Sequence, residues 1–193
     1  MNYSPILNAG VETPKLVKNF LLGFLTGLMI LIRGAAGYLG SGLADVRADA
    51  PIPVWASHLM YSSIHAAVRC SATKENNPLP ASDETLITGG KLYLNDCVGC
   101  HGEPGKPPSD FGASFYPPAP QFPSVGTAYE EGQVFWIAKH GVRRTGMSAQ
   151  EFSYADKDLW AVTAFIRRLP KLPPEVLSRI QQHSGSTAEE SPK

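Results

Sequence analysis

The sequence predicts an all-α protein in which one apolar helix near the N-terminus and a short amphipathic helix precede a small helical domain. Three observations support this fold class. Residues 20–32 form a continuous apolar run, and apolar residues recur at helical spacing in residues 54–69 and 157–168. The 17 prolines and 18 glycines concentrate around the apolar run and in the segment that follows residue 101. We therefore expect helices around a loop-rich centre and no sheet.

The length of the chain limits the number of domains, and its charge indicates that nucleic acid is not a partner. With 193 residues the chain has room for one domain of ordinary size and an additional segment. It carries 17 basic and 17 acidic side chains, so its formal net charge is zero. A balanced charge gives nucleic-acid binding no electrostatic support, and we expect no nucleic-acid partner.

Residues 16–44 are predicted to anchor the protein in a membrane. Lys15 and Lys18 precede the apolar run, and Arg33 interrupts it before a second stretch of small residues. A helix over residues 16–39 would measure roughly 36 Å, which is enough to cross the hydrocarbon core while Arg33 reaches towards the headgroups. The two lysines place residues 1–15 on the cytoplasmic side. The rest of the chain is then expected on the periplasmic side of the inner membrane.

A cleaved secretory signal is the alternative interpretation of this region. Ala48-Asp49-Ala50 has the form of an A-x-A cleavage site, but Pro51 would follow the cut, where proline is poorly accepted. We therefore favour a retained, single-pass anchor. Gly23 and Gly27 form a G-x-x-x-G pattern, which indicates either a face for contact with other membrane subunits or only the ordinary glycine content of membrane helices.

Residues 45–81 are predicted to form a linker that contains an amphipathic helix over residues 54–69. Trp55 and Leu59 share one face of this helix with small residues. The helix would lie on the bilayer, pack on the following domain or dock a partner. His58 and His65 are seven residues apart, about 10 Å along the axis, and two surface histidines are favoured over a second metal site. Cys70 is interpreted as a free thiol.

The residues Cys97-Val98-Gly99-Cys100-His101 have the C-x-x-C-H pattern of covalent c-type haem attachment. The two thiols lie one helical turn apart, so Cys97 and Cys100 both reach the vinyl groups on one edge of a porphyrin. His101 then follows as the proximal ligand of the iron. We therefore predict one covalently bound haem c.

Two other interpretations of the cysteine pair are weaker. A thioredoxin-like redox pair requires a βαβ setting, and no Val/Ile-rich strand pattern surrounds these residues. A zinc site requires a second pair of ligands, and the remaining cysteine, Cys70, has no cysteine or histidine pair beside it that would complete one.

From Ser82 onwards the sequence resembles class I cytochromes c. Ser82 starts a helix with acidic residues in its first turn, and this helix carries Gly89 and Tyr93 before the haem motif. In that family a glycine and an aromatic residue of the first helix contact the C-terminal helix, which we place at residues 157–168, capped by Ser153 or Asp156. The resemblance implies a class I cytochrome c domain over residues 82–172. Residues 173–193 are interpreted as a polar, mobile tail.

The resemblance also implies a sixth iron ligand in the loop before the last helix. Thr145-Gly146-Met147 matches the family pattern, although many relatives have proline where Ser148 stands. Met147 is therefore predicted as the distal ligand, and the preceding glycine is expected to let the backbone pass close to the porphyrin. His140 is the rival ligand. It falls at the end of a helix that begins near Glu130, where a histidine also suits the helix dipole.

The proline-rich stretch after the haem motif is expected to support the haem. In the family, a backbone carbonyl of this stretch accepts the Nδ1 proton of the proximal histidine, and residues 117–120 are the expected source. Four side chains are further candidates for the haem surroundings and its propionates: Tyr116, Trp136, Arg143 and Arg144.

Together these features predict an electron carrier and no enzyme. With two strong axial ligands the iron has no open position, and the protein is expected to serve as a subunit or tethered shuttle of a respiratory or photosynthetic membrane complex, together with other electron carriers. A haem enzyme or gas sensor with a displaceable distal ligand is one alternative. A mainly structural membrane subunit is the other.

Overall fold

The computed structural model describes residues 13–47 and 50–189, which belong to two compact units with their boundary in the sequence between Ala50 and Pro51. Within these ranges every regular element is helical, which confirms the predicted all-α fold. The first unit contains α1 (Thr13–Gly40). The second contains α2 (Val54–Ser71), α3 (Asp83–Asp96), α4 (Val98–His101), α5 (Asp110–Ala113), α6 (Phe122–Val125), α7 (Glu131–His140), α8 (Asp156–Arg168), a 3-10 turn (Leu169–Lys171) and α9 (Pro174–Glu189).

Helix α1 is long and apolar enough to cross a membrane. Its segment Lys15–Gly40 has a mean hydropathy of 1.8, and the side chains of this segment are exposed in the isolated unit. At 1.5 Å per residue the segment measures about 39 Å, more than the hydrocarbon core requires. Most of the predicted N-terminal segment, residues 1–12, and two residues of the alternative cleavage site, Ala48 and Asp49, lie outside the described residues.

Helix α2 packs on the helical domain that follows it. Val68 is buried, the Ser57 and Tyr116 hydroxyls are hydrogen-bonded at 2.7 Å, and the Tyr129 hydroxyl lies 2.6 Å from Nδ1 of His65. The sequence leaves open whether this helix lies on the bilayer, packs on the following domain or docks a partner. These contacts show that it packs on the domain. The opposite face leaves Trp55 exposed.

The crossing of α3 and α8 forms the centre of the domain. Gly89 lies directly against the backbone of Ala161, where a Cβ would collide with the carbonyl group. One turn later Tyr93 is fully buried and its ring packs on Phe165 at 5.3 Å. The glycine therefore allows the two backbones to approach, and the aromatic pair fills the space beside them.

The two crossing helices begin differently. At α3 the Ser82 hydroxyl accepts a hydrogen bond from the Thr85 backbone N–H, as its sequence predicts. At α8 the residue in the capping position is Ala155, which has no capping side chain, so neither Ser153 nor Asp156 caps the helix. Asp156 is instead the first helical residue and pairs with Nζ of Lys139 at 2.7 Å.

The segment between α2 and α3 is fixed to the domain, although its composition resembles a loose linker. The Thr73 carbonyl lies against Gly132 at the start of α7, where a side chain would collide with it. Asn77 fixes this segment through two hydrogen bonds. Its backbone N–H donates to Oε2 of Glu131, and its side-chain amide donates to the Trp160 carbonyl. The part of the predicted linker that follows α2 therefore belongs to the packed domain.

The C-terminal region differs most from its sequence-based interpretation. The sequence predicts a polar tail over residues 173–193, but Pro174–Glu189 form α9. Val176 and Ile180 are fully buried, and Ile180 packs beside Gly90 of α3. Two apolar side chains four residues apart are enough to attach one face of an otherwise polar helix.

Candidate functional site

The Cys-His motif lies at the junction of α3 and the single turn α4. Cys97 ends α3, and the His101 backbone N–H donates to the Cys97 carbonyl at 2.9 Å. Cys97 and Cys100 are not joined in a disulfide. One helical turn therefore presents two free thiols and an imidazole within a span of five residues.

The His101 ring is held in one orientation. Its Nδ1 lies 2.9 Å from the Pro120 carbonyl, and its plane stacks on the Phe122 ring at 4.7 Å and 14°. With Nδ1 donating to the carbonyl, Nε2 is the nitrogen that is free to bind a metal. Burial lowers the pKa of His101, an effect that the hydrogen bond to Pro120 partly offsets, so the ring favours its neutral, metal-binding form.

The segment that follows the motif is fastened to it. The Gln121 side-chain amide donates to the Cys100 carbonyl and its Oε1 accepts from the Ser109 backbone N–H, both at 2.8 Å. Gly112 lies directly against the Cys100 carbonyl, where a Cβ would collide. This packing places the Pro120 carbonyl beside His101.

Met147 lies in a loop that is closed by its own hydrogen bonds. Its backbone N–H donates to Oγ1 of Thr145 at 3.1 Å, and its carbonyl accepts from the Val142 backbone N–H at 3.0 Å. Gly141, with a φ of +65°, starts the loop beneath the Met147 carbonyl. The sequence predicts that Gly146 lets the backbone pass close to the porphyrin. In the structure the ring of Phe115 lies against Gly146.

The rival ligand His140 has other neighbours. It is the last residue of α7, and Gly141 follows as the C-cap. Its ring lies 5.3 Å from the Trp136 ring, and its Nδ1 is 3.9 Å from Oε2 of Glu151. These contacts fit a surface histidine at a helix C-terminus, as the helix dipole favours.

A comparison with known families decides the class of this domain. Residues 84–166, from the first turn of α3 to near the end of α8, match the family described as cytochrome c oxidase, cbb3-type, subunit III. The domain is a class I c-type cytochrome. The match covers fewer than half of the 193 residues, and no curated protein matches the chain.

The cytochrome's cofactor is covalently bound haem c, and the residues of the motif fit it. Two unpaired thiols one turn apart suit the two thioether links, and the oriented His101 ring would offer Nε2 to the iron. A structural zinc site would need further Cys or His ligands beside this pair. Burial, and then the neighbouring Asp96 and Cys100 side chains, raise the pKa of the Cys97 thiol to about 12. Among the described residues no cluster of three or more His, Cys, Asp or Glu side chains could hold a metal ion.

The four predicted haem neighbours of the cytochrome occupy different settings. The Tyr116 hydroxyl is engaged by Ser57 of α2, and Trp136 is half-buried beside His140. Arg143 and Arg144 are exposed in the loop before Met147, and Arg144 has a φ of +64°. Their contact with haem stays a prediction.

The structure also identifies supporting residues that the sequence did not single out. Gln121, Ser109 and Phe122 all act on the haem motif from the proline-rich segment, through the contacts described above. Their residue types carry no distinctive signal, because a glutamine, a serine or a phenylalanine in a loop is common. His65 bonds to Tyr129, while His58 and Cys70 are exposed on α2.

Proposed function

We propose that this protein is a membrane-anchored cytochrome with one haem, which carries single electrons as a subunit or tethered shuttle of a respiratory or photosynthetic membrane complex. The observation that carries the proposal is the orientation of His101. Because Pro120 accepts from Nδ1, Nε2 is the ring nitrogen that would bind the haem iron. Bound haem supplies an iron that exchanges one electron between its ferrous and ferric states.

Met147 would supply the second protein ligand to the haem iron. The hydrogen bonds of its loop fix its backbone, and Met147 itself is half-buried. A thioether and an imidazole together would leave the iron no open position, which would suit electron transfer and oppose substrate binding. The role of this chain's residues is therefore to hold the two proposed ligands in place.

The membrane assignment is supported by α1 and by the family description. The segment Lys15–Gly40 satisfies the length and apolarity of a spanning helix, and Lys15 and Lys18 favour a cytoplasmic N-terminus. The haem domain would then lie on the periplasmic side of the inner membrane. The description of the matching family as an oxidase subunit supports association with a membrane respiratory complex.

The proposed exchange surface surrounds the haem-attachment loop. Helix α5 packs on α4 there, and it presents the Phe111 side chain with 63% of its surface exposed. An exposed aromatic ring beside the attachment site suits a short-lived contact with an electron donor or acceptor.

The ligand assignment is tested by replacing Met147. Oxidised wild-type protein is expected to show the weak long-wavelength charge-transfer band of sulfur bound to haem iron. Met147→Ala should abolish this band because the thioether is lost, and His140→Gln should leave it unchanged. The measurement is the visible and near-infrared spectrum of the purified, detergent-solubilised full chain.

Two outcomes would overturn the carrier assignment. If wild-type protein lacks the band and binds carbon monoxide readily, the iron has an open site and the haem enzyme or gas-sensor alternative gains support. If His140→Gln rather than Met147→Ala changes the spectrum, His140 is the distal ligand. Met60→Ala, which removes a methionine of α2, serves as the matched control.

A further inference from the structure

We propose that the ring of Phe115 is a spacer, which holds the Met147 loop at a fixed position relative to the haem-attachment turn. The inference rests on the proposed function, because Met147 is the distal ligand assigned there. Phe115 is a positioning residue that acts through Met147, and three sets of contacts carry the argument.

The first set joins Phe115 to Gly146. A Cβ at Gly146 would lie 2.5 Å from Cδ1, 2.7 Å from Cε1 and 2.8 Å from Cγ of the Phe115 ring. Any side chain at this position would therefore overlap the ring, and only glycine leaves room for it. Gly146 immediately precedes Met147, so the ring contacts the backbone beside the proposed ligand.

The second set consists of hydrogen bonds that join Val142, Thr145 and Met147 within one loop. The Thr145 hydroxyl donates to the Val142 carbonyl at 2.7 Å and accepts from the Met147 backbone N–H at 3.1 Å. The Val142 backbone N–H donates to the Met147 carbonyl at 3.0 Å. A displacement of Gly146 is therefore passed on to Met147.

The third set fixes Phe115 to the haem-attachment turn. The Ser109 hydroxyl caps α5 by accepting from the Gly112 backbone N–H at 3.0 Å, and it donates to the Gly99 carbonyl within the motif. Gly112 also lies against the Cys100 carbonyl. Phe115 lies two residues after Ala113, the last residue of α5, and its ring meets that of Phe111 edge to face at 4.9 Å and 76°.

These contacts form a continuous path from Cys100 through α5 and Phe115 to Gly146 and Met147. The path joins the thioether side of the haem site to the loop of the distal ligand. A shorter side chain at position 115 leaves the loop unsupported, and a side chain at position 146 pushes it away from the ring. Both changes weaken the packing that positions the Met147 loop, while Met147 itself is still present.

The test uses the full-length protein with haem attached and compares Phe115→Ala with Phe115→Leu. Phe115→Ala is expected to weaken the sulfur-to-iron band. It should raise the affinity for imidazole about ten-fold, because a larger fraction of the protein has Met147 displaced. Phe115→Leu keeps part of the bulk and should restore part of the band. Phe152→Ala is the control, because Phe152 is 87% exposed.

A second pair of variants tests the steric contact itself. Gly146→Ala should weaken the band as Phe115→Ala does, and the double variant Gly146→Ala with Phe115→Leu should recover it, since the smaller side chain makes room for the methyl group. If both Phe115→Ala and Gly146→Ala keep the wild-type band and imidazole affinity while Met147→Ala loses the band, the spacer role is wrong and the proposed function stands. If Met147→Ala keeps the band, the ligand assignment fails and the spacer role fails with it.

Discussion

At the scale of single residues, the haem-attachment turn depends on hydrogen bonds from side chains outside the motif. The Tyr93 hydroxyl donates to the Gly102 carbonyl at 2.7 Å in a buried setting, directly after His101. Gly102 has a φ of +86°, so the chain turns sharply there. Burial raises the pKa of Tyr93 far above its ordinary value, and its hydroxyl therefore remains a donor at physiological pH.

We predict that Tyr93→Phe destabilises the cytochrome domain by about 1–3 kcal/mol, because the buried Gly102 carbonyl loses its donor. Haem attachment should persist, since the motif is unchanged. The measurement is denaturant unfolding of the haem-bearing protein, followed by circular dichroism. Tyr61→Phe, at an exposed tyrosine of α2, should leave the unfolding midpoint unchanged. Equal midpoints for Tyr93→Phe and wild type would contradict the assigned role.

At the scale of elements, α3 is the helix on which the domain is assembled. Its Gly89 meets α8, its Gly90 meets the Phe165 and Ile180 side chains, and its C-terminal end leads into the haem motif. Helix α9 adds a third partner by burying Val176 and Ile180 against the same core. The haem-attachment turn is therefore supported by helices that come much later in the sequence.

We predict that Ile180→Ala costs about 2–5 kcal/mol of unfolding free energy, because it leaves a cavity at a fully buried position. The matched control on α9 is Arg179→Ala, which removes an exposed ion pair with Glu84 at 3.7 Å. Such pairs contribute roughly 0–1 kcal/mol. Comparable denaturant midpoints for the two variants would show that α9 does not stabilise the domain.

At the scale of the whole molecule, the chain consists of an apolar helix and a packed helical unit that has its own core. The second unit starts at Pro51 and includes α2 and the segment leading to α3. The predicted division at Ser82 therefore does not coincide with the start of the packed unit. In the sequence, residues 41–50 lie between α1 and the start of this unit.

We predict that residues 51–193, produced behind a cleavable secretory signal, are recovered in the soluble periplasmic fraction with an unaltered visible spectrum. The full chain should stay in the membrane fraction after washing with high salt, because about 20 apolar residues are enough for stable insertion. Cell fractionation with haem staining measures both. Recovery of the full chain in the soluble fraction would contradict a retained anchor, and mild-detergent extraction would show which proteins remain attached to it.

The sequence predicted the elements well where a local pattern determines them. The Ser82 cap, the Gly141 stop of α7 and the apolar helix near the N-terminus depend on neighbouring residues, and they are visible in the sequence. Helix α9 and the packing of the segment around Asn77 were not predicted, because both stretches are polar by composition. Their order comes from a few long-range contacts, such as Ile180 beside Gly90 and Asn77 on Glu131.

The sequence by itself determined the cofactor and its attachment, because C-x-x-C-H places two thiols and an imidazole within one helical turn, and no distant residue is needed to define it. Only the tertiary structure decided that Pro120 orients His101 and that Phe115 packs on Gly146. These contacts join residues 19 and 31 positions apart, so their partners are set by the packing of the whole domain. Covalent chemistry is encoded locally, and the positions of the groups that orient it depend on the fold.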